Sequence, residues 1–184
     1  MPKAVLFLTD GFEETEAITT IDILRRGGVE VVTASLSDKK TVIGKHKIII
    51  QADAIFADIT KSDLFEMLII PGGTLDYTEH EELLELVRKY DNEKKKLAAI
   101  CAAPAVFGKA GILKGKKTVC YPGVEPWLTG AIIGNSIVET DEHITTSKGP
   151  ATSVFFALRL LEILKGREIA NKIGQAFLVP LINT

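Results

Sequence analysis

The sequence is poor in cysteine and carries little excess charge of either sign. Its 184 residues include two cysteines, Cys101 and Cys120, too few for a disulfide framework. The 22 basic and 24 acidic side chains are scattered along the chain and give a net charge of −2. A chain without a strong basic field lacks the attraction that holds a phosphate backbone, so we expect no nucleic-acid partner.

Long apolar runs are also missing. The longest mostly apolar stretch, residues 97–108, is too short to cross a bilayer and is broken by Pro104. The first residues do not resemble a signal peptide, because Lys3 leads into a short apolar segment with no cleavage-site pattern. We therefore predict a cytoplasmic protein without a membrane partner, whose thiols stay reduced.

What the sequence does contain is enough apolar residues for one core, since 46% are hydrophobic and 25% charged. No linker, repeat or low-complexity segment is visible, so residues 1–184 are predicted to form a single domain. Apolar runs predict strands at 3–9, 29–34, 65–70, 97–100, 118–121 and 144–147, with a short β-excursion at 41–52. The predicted helices end near 26 and 95 and cover 102–110, 150–164 and 167–177. This α/β alternation predicts a flavodoxin-like doubly wound, mostly parallel sheet with helices on both faces.

Two segments match the pattern of a capping box at a helix start. Asp10 is followed three residues later by Glu13, and Thr78 by Glu81. In this motif the first side chain caps the helix and the acid bonds back to it. The sequence therefore predicts Asp10 and Thr78 as N-caps.

Polar or reactive residues follow three of the predicted strands. The turns after Thr9, Ile70 and Ile100 are expected to meet at the carboxyl edge of the sheet, where open α/β sheets bind ligands. They carry Glu13, Glu14, Glu16, Gly72, Gly73 and Cys101. The sequence thus predicts a site at this edge.

Cys101 stands between a strand and a helix, the arrangement of a nucleophile elbow. A helix N-terminus beneath the sulfur favours the reactive thiolate. The alternative is a buried core cysteine, the commoner fate of a free thiol. For Cys120, inside the predicted strand 118–121, that alternative is favoured.

The groups around Cys101 have structural alternatives as well. Glu16 shares a helix face with Thr20 and Ile23, and a buried, protonated Glu16 could hydrogen-bond the thiolate or move protons. Glu13 has a capping role available, and Glu14 could simply face water. The turn at Gly72 and Gly73 offers backbone N–H groups to an oxyanion, or is a plain turn.

The histidines give no metal signal. His46 and His80 lack metal-ligand company in the sequence, and no cluster has zinc spacing. His143 precedes a predicted strand and could approach the site, although a surface position is favoured. We predict no metal and no cofactor.

Together, four segments resemble signature motifs of the ThiJ/PfpI superfamily, more narrowly the DJ-1 family and its YajL-like bacterial branch. They are DGFEETE at 10–16, LIIPGG at 68–73, AICAAP at 99–104 and TSKGPATS at 146–153. The resemblance implies that Cys101 is an oxidation-sensitive nucleophile and Glu16 its protonated partner. It also implies anion-binding backbone amides at Gly73 and Ala102, and a homodimer built on Asp22 and Arg26.

The departures from the family pattern bear on function. Many members have a histidine where this chain has Tyr121, directly before Pro122, so the pocket predicted around Tyr121, Pro122 and Lys148 lacks an imidazole. The peptidase branch has a histidine in place of Ala102, and no His-x-Glu completes an amidotransferase triad. Peptidase or amidase activity is therefore disfavoured.

The resemblance implies two functions that use the same residues. The first is cofactor-free processing of small dicarbonyls or glycated adducts, of the glyoxalase III or deglycase type, with Cys101 as nucleophile and Glu16 as proton shuttle. The second is a redox-sensing or chaperone-like role in oxidative stress, in which Cys101 is oxidised to sulfinate.

Overall fold

The computed structural model describes residues 1–59 and 64–182 and is built around one large sheet. The strands are β1 (Lys3–Leu8), β2 (Glu30–Ser35), β3 (Thr41–Ile43), β4 (Ile49–Gln51), β5 (Ala54–Ile55), β6 (Met67–Ile70), β7 (Lys96–Ile100), β8 (Lys117–Thr118), β9 (Ile132–Ile133), β10 (Val138–Asp141) and β11 (Ile144–Ser147). The α-helices are α1 (Glu14–Arg26), α2 (Phe56–Ile59), α3 (Glu81–Asn92), α4 (Pro104–Ala110), α5 (Ser153–Lys165) and α6 (Arg167–Ala176). Short 3₁₀ turns lie at Asp76–Glu79, Glu125–Trp127, Pro150–Thr152 and Val179–Leu181.

The large sheet has seven strands in the order β10-β11-β7-β6-β1-β2-β5. All its neighbouring strands are parallel except the antiparallel pair β10–β11 at one edge. The central strands β1, β6 and β7 are almost entirely buried, as their unbroken apolar sequences predict. The predicted doubly wound α/β fold is confirmed.

Asp10 and Thr78 are not the N-caps that the sequence predicts, because both side chains hydrogen-bond to groups outside the helix starts. Asp10 accepts a hydrogen bond from the Ile43 amide at 2.9 Å and so ties the β3–β4 hairpin to the site. The cap of α1 is instead Glu13, whose carboxylate accepts from the Glu16 amide at 2.7 Å. Thr78 lies in the 3₁₀ turn before α3 and donates its hydroxyl to the Leu75 carbonyl at 2.8 Å.

Several predicted boundaries also shift. The helix predicted to reach residue 95 ends at Asn92, since Lys94 has a left-handed φ of 55° that stops it. The strand predicted over 118–121 ends at Thr118, and Cys120 follows it in a buried loop. There the Val119 amide bonds the Thr146 side chain instead of continuing a ladder.

The helix predicted over 102–110 begins at Pro104, and the one predicted from 150 begins at Ser153 after a 3₁₀ turn. Among residues 1–59 and 64–182, no helix has the length and apolar character needed to cross a bilayer.

Candidate active site

Cys101 lies at the carboxyl edge of the sheet, on a sharp turn between β7 and α4. Its φ is 66°, a left-handed value that is uncommon for any residue other than glycine. Its amide donates to the Ser147 carbonyl, and its carbonyl accepts from the Tyr121 amide, both at 2.9 Å. These two bonds hold the strained backbone in place, as expected at a reactive position. Its exposed fraction is only 8%.

Glu16 reaches the same point from α1 and is completely buried. Its Oε2 accepts a hydrogen bond from the Gly72 amide at 2.6 Å, and the Cys101 thiol lies beside the carboxyl group. A Cβ atom placed on Gly72 would lie 2.6 Å from Cys101 Cβ and 2.9 Å from Glu16 Oε2. The structure therefore brings Glu16, Gly72 and Cys101 together, as the sequence predicts.

The environment of Glu16 suits a group that takes up and releases protons. Burial raises its pKa from 4.5 to about 7, while the hydrogen bonds from Gly72 and Cys101 act in the opposite direction. A carboxyl group that titrates near neutrality can serve as either acid or base.

The surroundings of Cys101 oppose ionisation of its thiol, whereas the helix N-terminus is predicted to favour the thiolate. Burial, followed by the negative charge of Glu16, raises its pKa to about 12, and the amides of Ala102 and Gly73 oppose the rise. Because α4 begins only at Pro104, its N-terminus does not outweigh these effects. Thiolate therefore forms when the thiol passes its proton to ionised Glu16, which removes that charge.

The predicted anion-binding amides divide into two groups. The Gly72 amide is already bonded to Glu16, so the prediction that it serves an oxyanion is wrong. The amides of Gly73 and Ala102 hydrogen-bond the sulfur of Cys101 and are the donors nearest the nucleophile. Gly73 has a φ of 99°, and a Cβ there would lie 2.4 Å from the Glu13 amide nitrogen, so only glycine fits.

Glu14 is buried and does not face water as the alternative for it predicted. Its Oε1 accepts from the His46 amide at 2.6 Å, and its Oε2 lies 2.9 Å from His46 Nδ1. Burial raises the pKa of Glu14, but hydrogen bonds from the His46 side chain and from the amides of Glu14, His46 and Ile48 together more than offset this, so its pKa is lowered. Two carboxylates that are distant in the sequence therefore lie near His46. One potential metal-ligating atom from each of Glu13, Glu14 and His46 lies within 4.8 Å of the other two.

The sequence of the chain matches a known protein family. The sequence profile of the DJ-1/PfpI family matches residues 2–163. The chain belongs to the DJ-1/PfpI family. The match supports the superfamily assignment, whereas the YajL-like branch within the family stays a prediction.

Several curated relatives cover nearly the whole chain. Protein dj-1beta of Drosophila melanogaster is 33% identical over 182 residues, covering 96% of this chain and 97% of its own. A Pyrococcus horikoshii protein named a deglycase is 31% identical over 166 residues, 88% of this chain and 99% of its own. Protein DJ-1 homolog B of Arabidopsis thaliana is 39% identical, but this chain spans only 40% of its length.

Solved structures of family members share the fold. The crystal structure of Drosophila melanogaster DJ-1beta has a TM-score of 0.91 at 32% identity, covering 96% of this chain and 97% of that one. The structure of Toxoplasma gondii DJ-1 in oxidised form has a TM-score of 0.92, also at 32% identity, covering 97% and 98%.

The remaining pocket residues predicted from the family pattern have different surroundings. Tyr121 is half exposed, and its ring lies against Gly149, while Pro122 is exposed. The Lys148 amino group donates to the Asn135 carbonyl at 3.1 Å. Burial raises the pKa of Cys120 to about 11, and the positive charge of Lys148 acts to lower it.

Lys45 is a site residue that the sequence analysis missed. Its amino group donates to the Gly73 carbonyl at 3.1 Å, and its charge acts to lower the pKa of Glu16. It is exposed at the tip of the β3–β4 hairpin, distant in sequence from every motif. No local pattern marks such a residue.

The other histidines lie away from Cys101. His143 stands at the amino end of β11 with a side chain only 7% exposed, and its Nε2 lies 2.8 Å from Asp91 Oδ1. It therefore neither approaches the site nor lies on the surface. His80 Nε2 donates to the Leu36 carbonyl at 3.0 Å.

Asp22 and Arg26, expected at a homodimer interface, form an ion pair with each other on α1. Their side chains meet at 2.9 Å, and both are exposed. The Arg26 guanidinium also lies 5.3 Å from the centre of the Phe177 ring. Both residues are free to face a partner, and the dimer stays a prediction.

The raised pKa of Glu16 predicts a specific dependence of stability on pH. Because the folded chain binds this proton more tightly than the unfolded chain, the stabilisation is complete below pH 4.5 and is lost as the pH rises through 7. We expect the free energy of unfolding of the wild type to fall by about 3 kcal/mol more than that of Glu16→Gln across this interval. Urea denaturation at a series of pH values measures it, and parallel curves for the two proteins would contradict it.

Proposed function

We propose that the protein converts reactive dicarbonyls into hydroxy acids without a cofactor, with Cys101 as nucleophile and Glu16 as proton carrier. The observation that carries the proposal is a buried carboxyl group with a pKa of about 7 directly beside a cysteine on a strained turn. The deglycase name of the Pyrococcus horikoshii relative supports the same chemistry. Glycated adducts, which contain the same carbonyl carbons, are substrates of the same class.

The first step forms the nucleophile and the carbon–sulfur bond. The Cys101 thiol passes its proton to ionised Glu16, and the thiolate attacks the aldehyde carbon of methylglyoxal. The carbonyl electron pair moves to oxygen, which receives the proton back from Glu16. The product is a hemithioacetal, with Glu16 ionised again.

The second step moves hydrogen between the two carbons. Glu16 removes the proton from the former aldehyde carbon, giving an enediolate. The hydroxyl proton on the oxygen of that carbon moves to the oxygen of the neighbouring carbon, and Glu16 then protonates the neighbouring carbon itself. The first carbon is oxidised and the second reduced, so no external oxidant or reductant is needed. The lactoyl thioester that remains is cleaved by one water molecule, which releases lactate and the free thiol.

The backbone around the sulfur is suited to the charge that develops in these steps. We infer that the amides of Gly73 and Ala102, which hydrogen-bond the sulfur, stabilise the oxygen that becomes negative when a carbonyl is attacked. Lys45 adds a positive charge at the same edge. A fixed set of donors stabilises an oxyanion without reorganisation.

Lactate formation from methylglyoxal in the absence of glutathione tests this proposal. We expect turnover by the wild type and none by Cys101→Ser, because a serine hydroxyl is a far weaker acid and nucleophile than a thiol. Cys120→Ser is the matched control, since Cys120 lies outside the reacting group, and it should retain wild-type turnover. Absence of lactate from the wild type would refute the enzymatic proposal.

A redox role of the same cysteine is the second candidate. The sulfur is flanked by the amides of Gly73 and Ala102 and by the Glu16 carboxyl, which are the groups that would hydrogen-bond a sulfinate. The oxidised Toxoplasma gondii structure supports such chemistry within the family. A wild type that produces no lactate, but gains two oxygen atoms on Cys101 with peroxide, would favour a sensor or chaperone-like role.

We also infer the organisation in which this activity occurs. One continuous core runs through the described residues from Ala4 to Ala170, which supports a single domain over residues 1–184. A cytoplasmic location fits a cysteine that must stay reduced to react. A homodimer contacting Asp22 and Arg26 is the assembly we propose.

A further inference from the structure

A cavity lies at the opposite edge of the sheet from Cys101. It has a volume of about 280 Å³ and sits between the amino ends of β6, β7 and β11, the β10–β11 turn and helix α5. Its polar lining comes from Lys94, Lys96, Thr140, Glu142, His143, Thr145 and Arg159. Strand β7 separates this cavity from the nucleophile by roughly 16 Å, so the two sites are distinct.

Positive charge predominates in this lining, with three basic side chains and one acid. The acid, Glu142, is already paired with Lys116 at 2.6 Å. Lys96 has only a distant contact, 3.9 Å, with Glu66. Lys94 has no carboxylate within ion-pair distance among residues 1–59 and 64–182. Two lysines therefore face the cavity without a full counter-charge.

Hydrogen-bonding groups face the same space. Arg159 donates from Nε to the Thr140 hydroxyl at 3.1 Å, and that hydroxyl lies 3.2 Å from the Thr145 hydroxyl. The buried ring of His143 is held by Asp91 through Nε2, while its Nδ1 has no hydrogen-bond partner in the described part of the chain. Glu142 Oε2 lies 3.8 Å from Nδ1, beyond hydrogen-bond distance. A buried polar nitrogen without a hydrogen-bond partner is costly, which favours a bound ligand group in this space.

We propose that this cavity binds a small oxyanion, a phosphate monoester or a carboxylate. The lysine ammonium groups supply the charge, and the threonine hydroxyls supply hydrogen bonds to its oxygens. Met67 and Ile163 form apolar walls that accommodate a short organic group on the anion.

Titration of ¹⁵N-labelled protein with inorganic phosphate, and separately with acetate, tests the proposal. We expect saturable shifts of the Thr145 and Glu142 amides at millimolar concentrations, and the anion with the larger effect identifies the ligand class. The double variant Lys94→Gln, Lys96→Gln should bind at least about tenfold more weakly at these amides. Lys109→Gln, an exposed lysine on α4, is the matched control.

Binding near Cys101 is distinguished by the amides of Gly73 and Ala102, whose shifts should be the same in the wild type and the double variant. The same spectra report whether each variant is folded. Equal affinity of the wild type and the double variant at Thr145 would overturn the proposal. So would the absence of any shift there at about 50 mM of either anion. Neither result depends on whether the protein turns over methylglyoxal.

Discussion

Replacement of Glu16 by glutamine is expected to lower kcat for lactate formation from methylglyoxal by about 10²–10⁴-fold. Glutamine has nearly the same shape, and its amide oxygen can still accept the hydrogen bond that the Gly72 amide donates at 2.6 Å. It cannot accept the thiol proton or carry hydrogen between the two substrate carbons. The loss should therefore appear in kcat, and substrate binding should change little.

The pH profile makes this prediction specific to proton transfer. In the wild type, the rate should rise through the pKa of Glu16, about 7, because the ionised carboxylate starts the reaction. That inflection should be missing from the residual activity of Glu16→Gln. Glu82→Gln, an exposed acid on α3, should keep both rate and profile. A Glu16→Gln variant within threefold of wild-type kcat would exclude Glu16 as the proton carrier.

Replacement of Gly72 by alanine should damage both activity and stability. The new methyl group would lie 2.6 Å from Cys101 Cβ and 2.9 Å from both the Ala102 nitrogen and Glu16 Oε2. Cys101 Cβ and the Ala102 nitrogen belong to the elbow itself and cannot rotate away, so the backbone of the elbow must move. We expect a cost of about 1–3 kcal/mol in the free energy of unfolding. We also expect a loss of about 10²-fold or more in kcat, since the reacting groups are displaced.

Gly28→Ala provides the control for this substitution. Gly28 has a φ of 77°, and a methyl group added there would meet nothing within 4 Å. Its replacement therefore costs backbone strain of about 1–2 kcal/mol without touching the site, and its kcat should equal that of the wild type. Urea denaturation and lactate assays on both variants separate general destabilisation from loss of the site. A Gly72→Ala protein as active as Gly28→Ala would show that the elbow tolerates the displacement.

The parts of the fold that the sequence predicts are those decided by local burial. The apolar runs of β1, β6 and β7 leave no face for water, so a parallel sheet covered by helices on both sides follows from them. Once that sheet is predicted, the turns after its strands must meet at one edge. The positions of Cys101 and Glu16 follow from this topology together with the family resemblance.

The details that sequence did not predict depend on contacts between distant segments. Asp10 matches a helix cap but bonds an amide 33 residues later in the β3–β4 hairpin. The helix pattern allows Glu14 to be a solvent-exposed acid, but its carboxylate accepts a hydrogen bond from His46, 32 residues away. A capping or helix-face pattern compares near neighbours, so it cannot register a competing partner from another element. The raised pKa of Cys101 has the same origin, because burial is a property of the assembled site.

The backbone of the nucleophile is held in place by other main-chain atoms. Its amide and carbonyl are held by the Ser147 carbonyl and the Tyr121 amide, groups that almost every amino acid possesses. Side chains at these two positions can therefore diverge while the sulfur keeps its place. Proline is the one residue that could not replace Tyr121 here, because it lacks the backbone N–H that donates to the Cys101 carbonyl. The geometry of the elbow and the chemistry of its surroundings are thus free to evolve separately.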